Sequence, residues 1–299
     1  MAIYDINGNL LNSAYDVEGT QLSTAYDLGG NIIWSGAVVD YSDYSISNYC
    51  AVSLSPMQGF DIYNGVIFQF IANNSNISNR MTTVDVSTSS IINSGISATS
   101  GHGDVATFSK QRYIPTDTYP MIYVSADTNP TNIYLNRVTT SSSELIKTFY
   151  FPTIAQTGYY TGHAYDEDNQ IMYILGYTEP IYNSDDGGNN KVIVSKWDMS
   201  DLTDNGDDTY TPAFISSYER PFIYVMQGQQ WHDGMIWVAS GGTNVRGYVY
   251  ALDPSDGTVL YTVDTGTNTE LEGVAFISNT EMVLGLQGGT YKKVTFATN

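Results

Sequence analysis

Gly247-Tyr248-Val249-Tyr250-Ala251-Leu252-Asp253 is followed by Pro254-Ser255-Asp256-Gly257 and then by Thr258-Val259-Leu260-Tyr261-Thr262-Val263. Two runs rich in β-branched and aromatic residues flank four residues suited to a turn. Proline presets φ, aspartate bonds the backbone ahead of it, and glycine takes positive φ. The stretch predicts a β-hairpin. Elsewhere Val84-Asp85-Val86 and Ile91-Ile92 flank a Ser/Thr turn, and Ile133-Tyr134-Leu135 and Leu145-Ile146 flank a Ser-rich one. In a further copy, Val192-Ile193-Val194 is expected to lead through a long acidic loop, Asp201 to Asp208, to Phe214-Ile215.

Five short apolar runs precede or accompany these hairpins: Val66-Ile67-Phe68, Met121-Ile122-Tyr123-Val124, Ile171-Met172-Tyr173-Ile174, Met235-Ile236-Trp237-Val238 and Met282-Val283-Leu284. Their length and composition read as buried strands. Before each stands a polar residue followed by a small one: Gln58-Gly59, His102-Gly103, His163-Ala164, Gln227-Gly228 and Glu272-Gly273. Their spacings are 44, 61, 64 and 45 residues. Surface insertions at 111–118, 183–190 and 201–208 account for the longer ones. A unit of about four strands recurring every ~40–50 residues is the mark of a propeller blade. The expected fold is all-β: a five-bladed β-propeller spanning 37–299. Only three strands fit after Glu272, so the segment from Ala37 to Ser47 is expected to supply the outer strand of the last blade and close the ring, since an open edge invites aggregation.

In such a ring the small residues allow converging backbones to approach. The polar partners Gln58, His102, His163, Gln227 and Glu272 would then stand at one mouth of the central channel. Asp104, two residues after His102, shares its strand face and joins Glu272 there. Trp231 follows Gln227-Gly228 closely and offers an aromatic face to a sugar ring. Tyr159-Tyr160 and Tyr177, near strand ends, are further aromatic candidates. The alternative for this ring is a water-filled structural channel whose polar groups satisfy each other.

The chain has 299 residues, 11 Lys+Arg and 31 Asp+Glu, a formal net charge of −20. Nucleic-acid binding and anionic membrane surfaces are disfavoured by that balance. The first basic residue is Arg80, and Met1-Ala2-Ile3-Tyr4-Asp5 lacks the positive start of a Sec signal peptide. No apolar run reaches the ~18 residues of a membrane helix. The single cysteine, Cys50, makes no internal disulfide or Cys-based zinc site. Charged residues are 14% of the chain while 25 residues are Tyr, so solubility rests on neutral polar groups.

Residues 1–36 read as a separate segment. Tyr4-Asp5, Tyr15-Asp16 and Tyr26-Asp27 recur every 11 residues, as do Gly8, Gly19 and Gly30, and Leu11, Leu22 and Ile33. Each unit suits a turn flanked by apolar positions, and such units must stack on each other or on a partner chain. A stem or attachment segment is expected; a degenerate linker is the alternative.

Met57-Gln58-Gly59-Phe60, Gly101-His102-Gly103-Asp104 and Tyr119-Pro120-Met121-Ile122-Tyr123-Val124-Ser125 resemble the five-bladed propeller domain of receptor-binding proteins from tails of phages that infect Gram-positive bacteria. The resemblance covers about residues 50 to 296. It implies binding of a bacterial cell-wall or capsular glycan, a homotrimer held by its stem, contact with other virion proteins through the N-terminal segment, and a virion location reached by host lysis rather than export. The 11-residue repeats stand where the family has a long helical stem.

Two other functions are weighed against adhesion. A propeller glycoside hydrolase or polysaccharide lyase needs two carboxylates about 5–10 Å apart. Among Asp61, Asp104, Asp166 and Glu272, only Asp104 and Glu272 are expected to face the channel together. A structural virion protein with an inert channel is the third reading. His102, His163 and Glu272 form a conceivable metal set, and the clusters at 166–169, 184–187 and 204–208 resemble calcium loops without full EF-hand spacing. Neither is adopted: no metal, cofactor or catalytic residue is assigned. No nucleophile elbow, phosphate loop or dinucleotide fingerprint occurs.

Overall fold

The computed structural model describes residues 24–26, 32–35, 39–54, 57–71, 80–101, 103–125, 132–152, 159–177, 191–221, 226–242 and 244–298. The regular structure in them is entirely β-strand. Two compact units divide the chain: residues 1–45 with 295–299, and residues 46–294.

In the smaller unit, β1 (Thr24–Tyr26) and β2 (Ile32–Ser35) pair antiparallel, with Ala25 opposite Trp34. They stand on either side of residues 27–31, which, like the first two 11-residue repeats, lie outside the described residues. Tyr41 and Tyr44 set ring edges against Phe296, at centroid distances of 4.9 and 6.4 Å.

The larger unit consists of up-and-down meanders. One sheet has the order β4 (Phe60–Tyr63), β5 (Val66–Ile71), β6 (Arg80–Asp85), β7 (Ser90–Ser97). Another is β16 (Met226–His232), β17 (Met235–Ser240), β18 (Tyr248–Leu252), β19 (Val259–Asp264). A third is β20 (Leu271–Ser278), β21 (Glu281–Leu286), β22 (Thr290–Thr298) and then β3 (Val39–Ala51), which contains most of the 37–47 segment.

The remaining eight strands form one sheet. Its two halves are the meanders β8 (Ala106–Phe108), β9 (Ile122–Ser125), β10 (Asn132–Val138), β11 (Ser143–Tyr150) and β12 (Tyr159–Asp166), β13 (Ile171–Tyr177), β14 (Lys191–Gly206), β15 (Thr209–Pro221). Only a short parallel bridge between the outermost strands joins them, Thr148 opposite Thr209 and Phe149 opposite Tyr210.

The five apolar runs fall in β5, β9, β13, β17 and β21, which are buried almost throughout. A second strand covered on both faces explains why these runs are continuous rather than alternating. The hydrophobic cores lie between successive meanders. Phe68, Phe70 and Met81 pack with Ile122 and Val124. Tyr123, Ile133 and Phe149 pack with Tyr165, Met172 and Trp197. Tyr173, Leu175 and Val194 pack with Ile236 and Val238. Ala275, Val283 and Tyr291 pack with Phe60, Ile62 and Ile67. First strands touch at four junctions, β4 on β8, β12 on β16, β16 on β20 and β20 on β4, and at the fifth β12 meets β9. This is a propeller-like arrangement.

The hairpin at 253–258 forms as its residues predict. The Asp253 carboxylate accepts the Ser255 amide and hydroxyl at 2.7 and 2.6 Å, Gly257 has φ 72°, and the Asp253 amide donates to Thr258 O at 2.8 Å. The acidic stretch 201–208 is different from expectation. It is not a loop but the extended end of a long hairpin: Leu202 faces Pro212, Thr203 faces Thr211, and Gly206 faces Thr209. The turn is confined to Asp207 and Asp208, both at positive φ, which aspartate tolerates and two-residue hairpins require. Leu202 and Tyr210 pack on the core below, so this arm has an apolar face to bury.

Candidate functional site where the first strands converge

Strand register identifies equivalent positions on the five first strands. In β12, Tyr160 faces Gly176 and Gly162 faces Leu175, which leaves Thr161 as an extra residue. In β16, Met226 faces Ser240 and Gly228 faces Ala239, so Gln227 is extra. In β20, Leu271 faces Leu286 and Gly273 faces Gly285, so Glu272 is extra. Ahead of β4, the Gln58 amide donates to Phe70 O while the Phe70 amide donates to Gly59 O, so two residues again face one. Each is a β-bulge, a device that re-aims a side chain out of the ladder. Ahead of β8, Ala106 faces Val124 and the Ser125 amide donates to Val105 O, so Val105 corresponds to Gly59, Gly162, Gly228 and Gly273, and Asp104 precedes it.

The register-equivalent set is therefore Gln58, Asp104, Thr161, Gln227 and Glu272. Three of these match the sequence-derived ring, and Asp104 was expected beside them. The other two frames shift. His163 sits one strand position past Gly162, at the site occupied by Phe60, Ala106, Gln229 and Val274 in the other meanders; the true pair there is Thr161-Gly162. His102 lies outside the described residues. The expectation failed at His163 because Ala164 is also small, and a polar-small pair does not reveal which residue is bulged.

The small residues following the bulges do bring backbones together. A Cβ on Gly59 would stand 2.6 Å from the Asp104 carbonyl oxygen, and one on Gly228 would stand 2.5 Å from Gly273 Cα. A Cβ on Gly273 would meet the Phe60 ring at 2.9 Å. The space beside Gly162 is taken by Val105 Cγ2 and the Gln229 amide oxygen.

Glu272 is 4% exposed. Burial raises its carboxyl to about 9, with Glu270 and Asp104 adding like charge. Gln227 Nε2 donates to Glu270 Oε1 at 2.8 Å, and Gln58, Asp104 and Gln227 are partly exposed. The set thus offers amide donors and acceptors, one carboxyl held neutral at pH 7, and further carboxylates beside it.

Deeper in, polar side chains lie buried without described partners. Both His163 ring nitrogens, both polar atoms of the Gln229 amide and Thr107 Oγ1 lack hydrogen bonds. His163 is fully buried, and desolvation lowers its pKa to about 3. Buried groups of this kind seek water or a ligand oxygen.

Asp61, a carboxylate weighed in the sequence for catalysis, joins first strands together. Its Oδ2 accepts the Phe108 amide of β8 at 2.6 Å, and Gln230 Nε2 of β16 lies 3.5 Å from the same oxygen. Gln230 Oε1 in turn accepts the Phe276 amide of β20. Burial, opposed by these hydrogen bonds, places the Asp61 carboxyl at about 7. Asp61→Ala strands the Phe108 amide and the Gln230 side chain, and is expected to lower unfolding free energy by about 3 kcal/mol. Urea unfolding at about pH 6, where Asp61 is largely neutral, checks this; a change below about 0.5 kcal/mol would sink the clasp.

Trp231 and Tyr177 pack against neighbouring strands. Trp231 stacks on Tyr173, centroids 5.3 Å apart with planes 9° apart, and joins the core between β13 and β17. Tyr177 is buried and its hydroxyl accepts the Met226 amide. The side chains of Tyr159 and Tyr160 lie outside the described residues. Asp166 closes its own turn, accepting the Asn169 amide and side chain at 3.2 and 2.8 Å. The 184–187 cluster lies outside the described residues. Among the described residues no group of three or more His, Cys, Asp or Glu is placed to hold a metal ion.

Sequence reasoning missed Thr161, Gln229, Gln230 and Gln69. Gln69 Nε2 donates to the carbonyls of Gln58, Gly59 and Phe70 and its Oε1 accepts the Tyr291 hydroxyl at 2.6 Å, so it props the bulge from behind. The available signal was a glutamine inside an otherwise apolar run.

No family model matches the chain, and no curated protein matches it. Among solved structures, it is similar to the PQQ-bound aldose sugar dehydrogenase of Streptomyces coelicolor, at 12% identity over 87% of this chain and 100% of that one, with a TM-score of 0.49. It is also similar to the computationally designed Ika8 protein, at 12% identity over 95% of this chain and 92% of that one, with a TM-score of 0.36.

Proposed function

We propose that this protein is a five-bladed β-propeller that binds a bacterial cell-surface glycan at the mouth where its first strands converge, as a receptor-binding component of a phage tail. The carrying observation is a set of equivalent positions on or just ahead of four first strands, Gln58, Asp104, Gln227 and Glu272, of which Gln58, Gln227 and Glu272 are bulged. Bulges spend ladder hydrogen bonds to re-aim side chains. Mixed amide and carboxyl groups match the mixed donors and acceptors of sugar hydroxyls. Five meanders, with contact between first strands at four junctions and of β12 with β9 at the fifth, support the blade count. On this reading residues 1–36 attach the propeller to other virion proteins, the assembly is a homotrimer, and the protein is carried on the virion.

The chain should be retained on wall preparations of a susceptible bacterium without releasing sugar. Gln58→Ala combined with Gln227→Ala should weaken retention about tenfold, as loss of paired hydrogen bonds does. Failure to bind any wall or capsular preparation counts against the proposal.

A second reading, glycan cleavage, has one specific support: Glu272 carries a proton at neutral pH with Asp104 and Glu270 as neighbouring carboxylates, the pairing of environments that general acid catalysis uses. Release of reducing ends from such preparations, abolished by Glu272→Gln, would establish it in place of adhesion.

A further inference from the structure

We infer that the cleft between the second and third meanders is a separate binding site for an acidic sugar, a pyranose bearing a carboxylate, held between Tyr113 and Tyr165 with its charge on Arg112 and Lys147. The inference goes beyond the mouth described above and uses none of its residues.

The cleft has a volume of 380 Å³, within the ~300–1,000 Å³ of small-molecule sites. Arg112, Tyr113, Tyr123, Lys147, Phe149 and Tyr165 line it. Aromatic walls of this kind take the C–H face of a sugar ring. The hydroxyl of Tyr165 donates to Gln170 Oε1 at 3.1 Å, and Gln170 also lines the cleft, so polar groups stand on the apolar wall.

The charges select the ligand. In a chain with net charge −20, two cations border one cleft. Lys110, Arg137, Lys191, Arg246 and Lys293 are ion-paired. Arg112 and Lys147 form no ion pair with a described carboxylate. Instead each stands over a tyrosine: Arg112 lies 5.9 Å from the Tyr63 centroid and donates to its hydroxyl at 2.8 Å, and Lys147 lies 4.9 Å from the Tyr210 centroid. Asp117 stands near enough to feel the Arg112 charge, but its carboxylate is bonded to Arg137, and cations held on rings in this way remain available to an incoming anion.

The lip is preorganised. Arg112 and Tyr113 belong to the 111–118 insertion that the blade spacing singled out. Arg137 clamps that loop with a two-point bond to Asp117 at 2.6 and 3.0 Å, and its guanidinium lies 5.2 Å from the Tyr113 centroid. The Met121 amide closes the loop base on Gln111 O at 2.9 Å. A loop already fixed loses little freedom on binding.

The test is calorimetric titration of the full chain with trigalacturonate, its methyl ester and glycerol phosphate. Trigalacturonate should bind, more weakly as salt rises; the ester and glycerol phosphate should each bind about tenfold more weakly or not at all. The double variant Arg112→Ala, Lys147→Ala and the single variant Tyr113→Ala should each lose about tenfold, with Gln227→Ala unchanged. Amide NMR shifts of the wild type, independent of any variant's folding, should move at Tyr113 and Lys147. No binding of trigalacturonate, equal binding of ester or glycerol phosphate, insensitivity to the cleft variants, or shifts confined to the channel mouth would each overturn the inference. Because Gln227→Ala separates the two sites, failure here and failure at the mouth are distinguishable.

Discussion

Gly59→Ala is expected to unfold at markedly lower denaturant than the wild type, with a loss of about 3 kcal/mol, the upper range for overpacking against an unyielding neighbour. The added methyl would meet backbone rather than a movable side chain: the Asp104 carbonyl carbon and oxygen at 2.7 and 2.6 Å and the Gly103 oxygen at 2.7 Å. The Gly59 amide also donates to that Gly103 oxygen at 2.8 Å, so separating the strands to admit the methyl breaks a bond between successive meanders. Gly242 is the control. Nothing lies within 4 Å of its Cβ position and its φ is outside the left-handed region, so Gly242→Ala should be neutral or stabilising by about 0.5 kcal/mol through the unfolded chain. Equal urea midpoints for the two variants would show that the first strands do not converge as described.

Glu272→Gln is expected to stabilise the protein at alkaline pH and leave it nearly unchanged at about pH 4.5. The Glu272 carboxyl is raised from 4.5 to about 9, chiefly by burial. Between those values the folded state holds a proton that the unfolded state has released, so stability falls as pH rises, by about 1.4 kcal/mol per pH unit. At pH 7 the accumulated penalty is about 3 kcal/mol, and glutamine, neutral and of similar shape, removes it.

Asp61 acts with the same sign up to about 7, and His163 with the opposite sign between about 3 and 6.5, where the unfolded chain takes up a proton that the buried imidazole refuses. Both groups are present in wild type and variant alike, so the difference between the two proteins isolates Glu272. Urea midpoints at about pH 5 and pH 8.5 for wild type and variant measure the difference. A parallel decline in both proteins would show that Glu272 does not sit in the described environment.

The strand plan was legible because its signals are local. The runs Ile122-Tyr123-Val124 and Ile236-Trp237-Val238 had to be covered on both faces, and Pro254-Ser255-Asp256-Gly257 had to turn. The polar-small pairs at Gln58, Gln227 and Glu272 were legible for the same reason: only glycine fits where two backbones meet. The third pair was misplaced by one residue because bulge position is a property of pairing with β13, and Thr161-Gly162-His163-Ala164 contains two small residues. The acidic 201–208 stretch read as a loop because charge suggested solvent; only the partner strand, with Pro212 opposite Leu202, revealed an extended hairpin. Trp231 looked like a ligand platform from its place in the chain and proved to be a neighbour of Tyr173, a contact across 58 positions that no local pattern encodes.

By itself, then, the sequence determined an all-β chain of recurring hairpins, since alternation, turn chemistry and glycine placement act within a few residues. It also placed polar residues ahead of small ones at Gln58, Gln227 and Glu272. Tertiary structure decided which of those groups stand at equivalent positions, which ones clasp strands together as Asp61 and Gln230 do, and that Arg112 of a loop insertion and Lys147 of β11 border one cleft. Those outcomes depend on register and on contacts between distant strands, and burial among those strands is what turns Glu272 from an ordinary carboxylate into a neutral acid at pH 7.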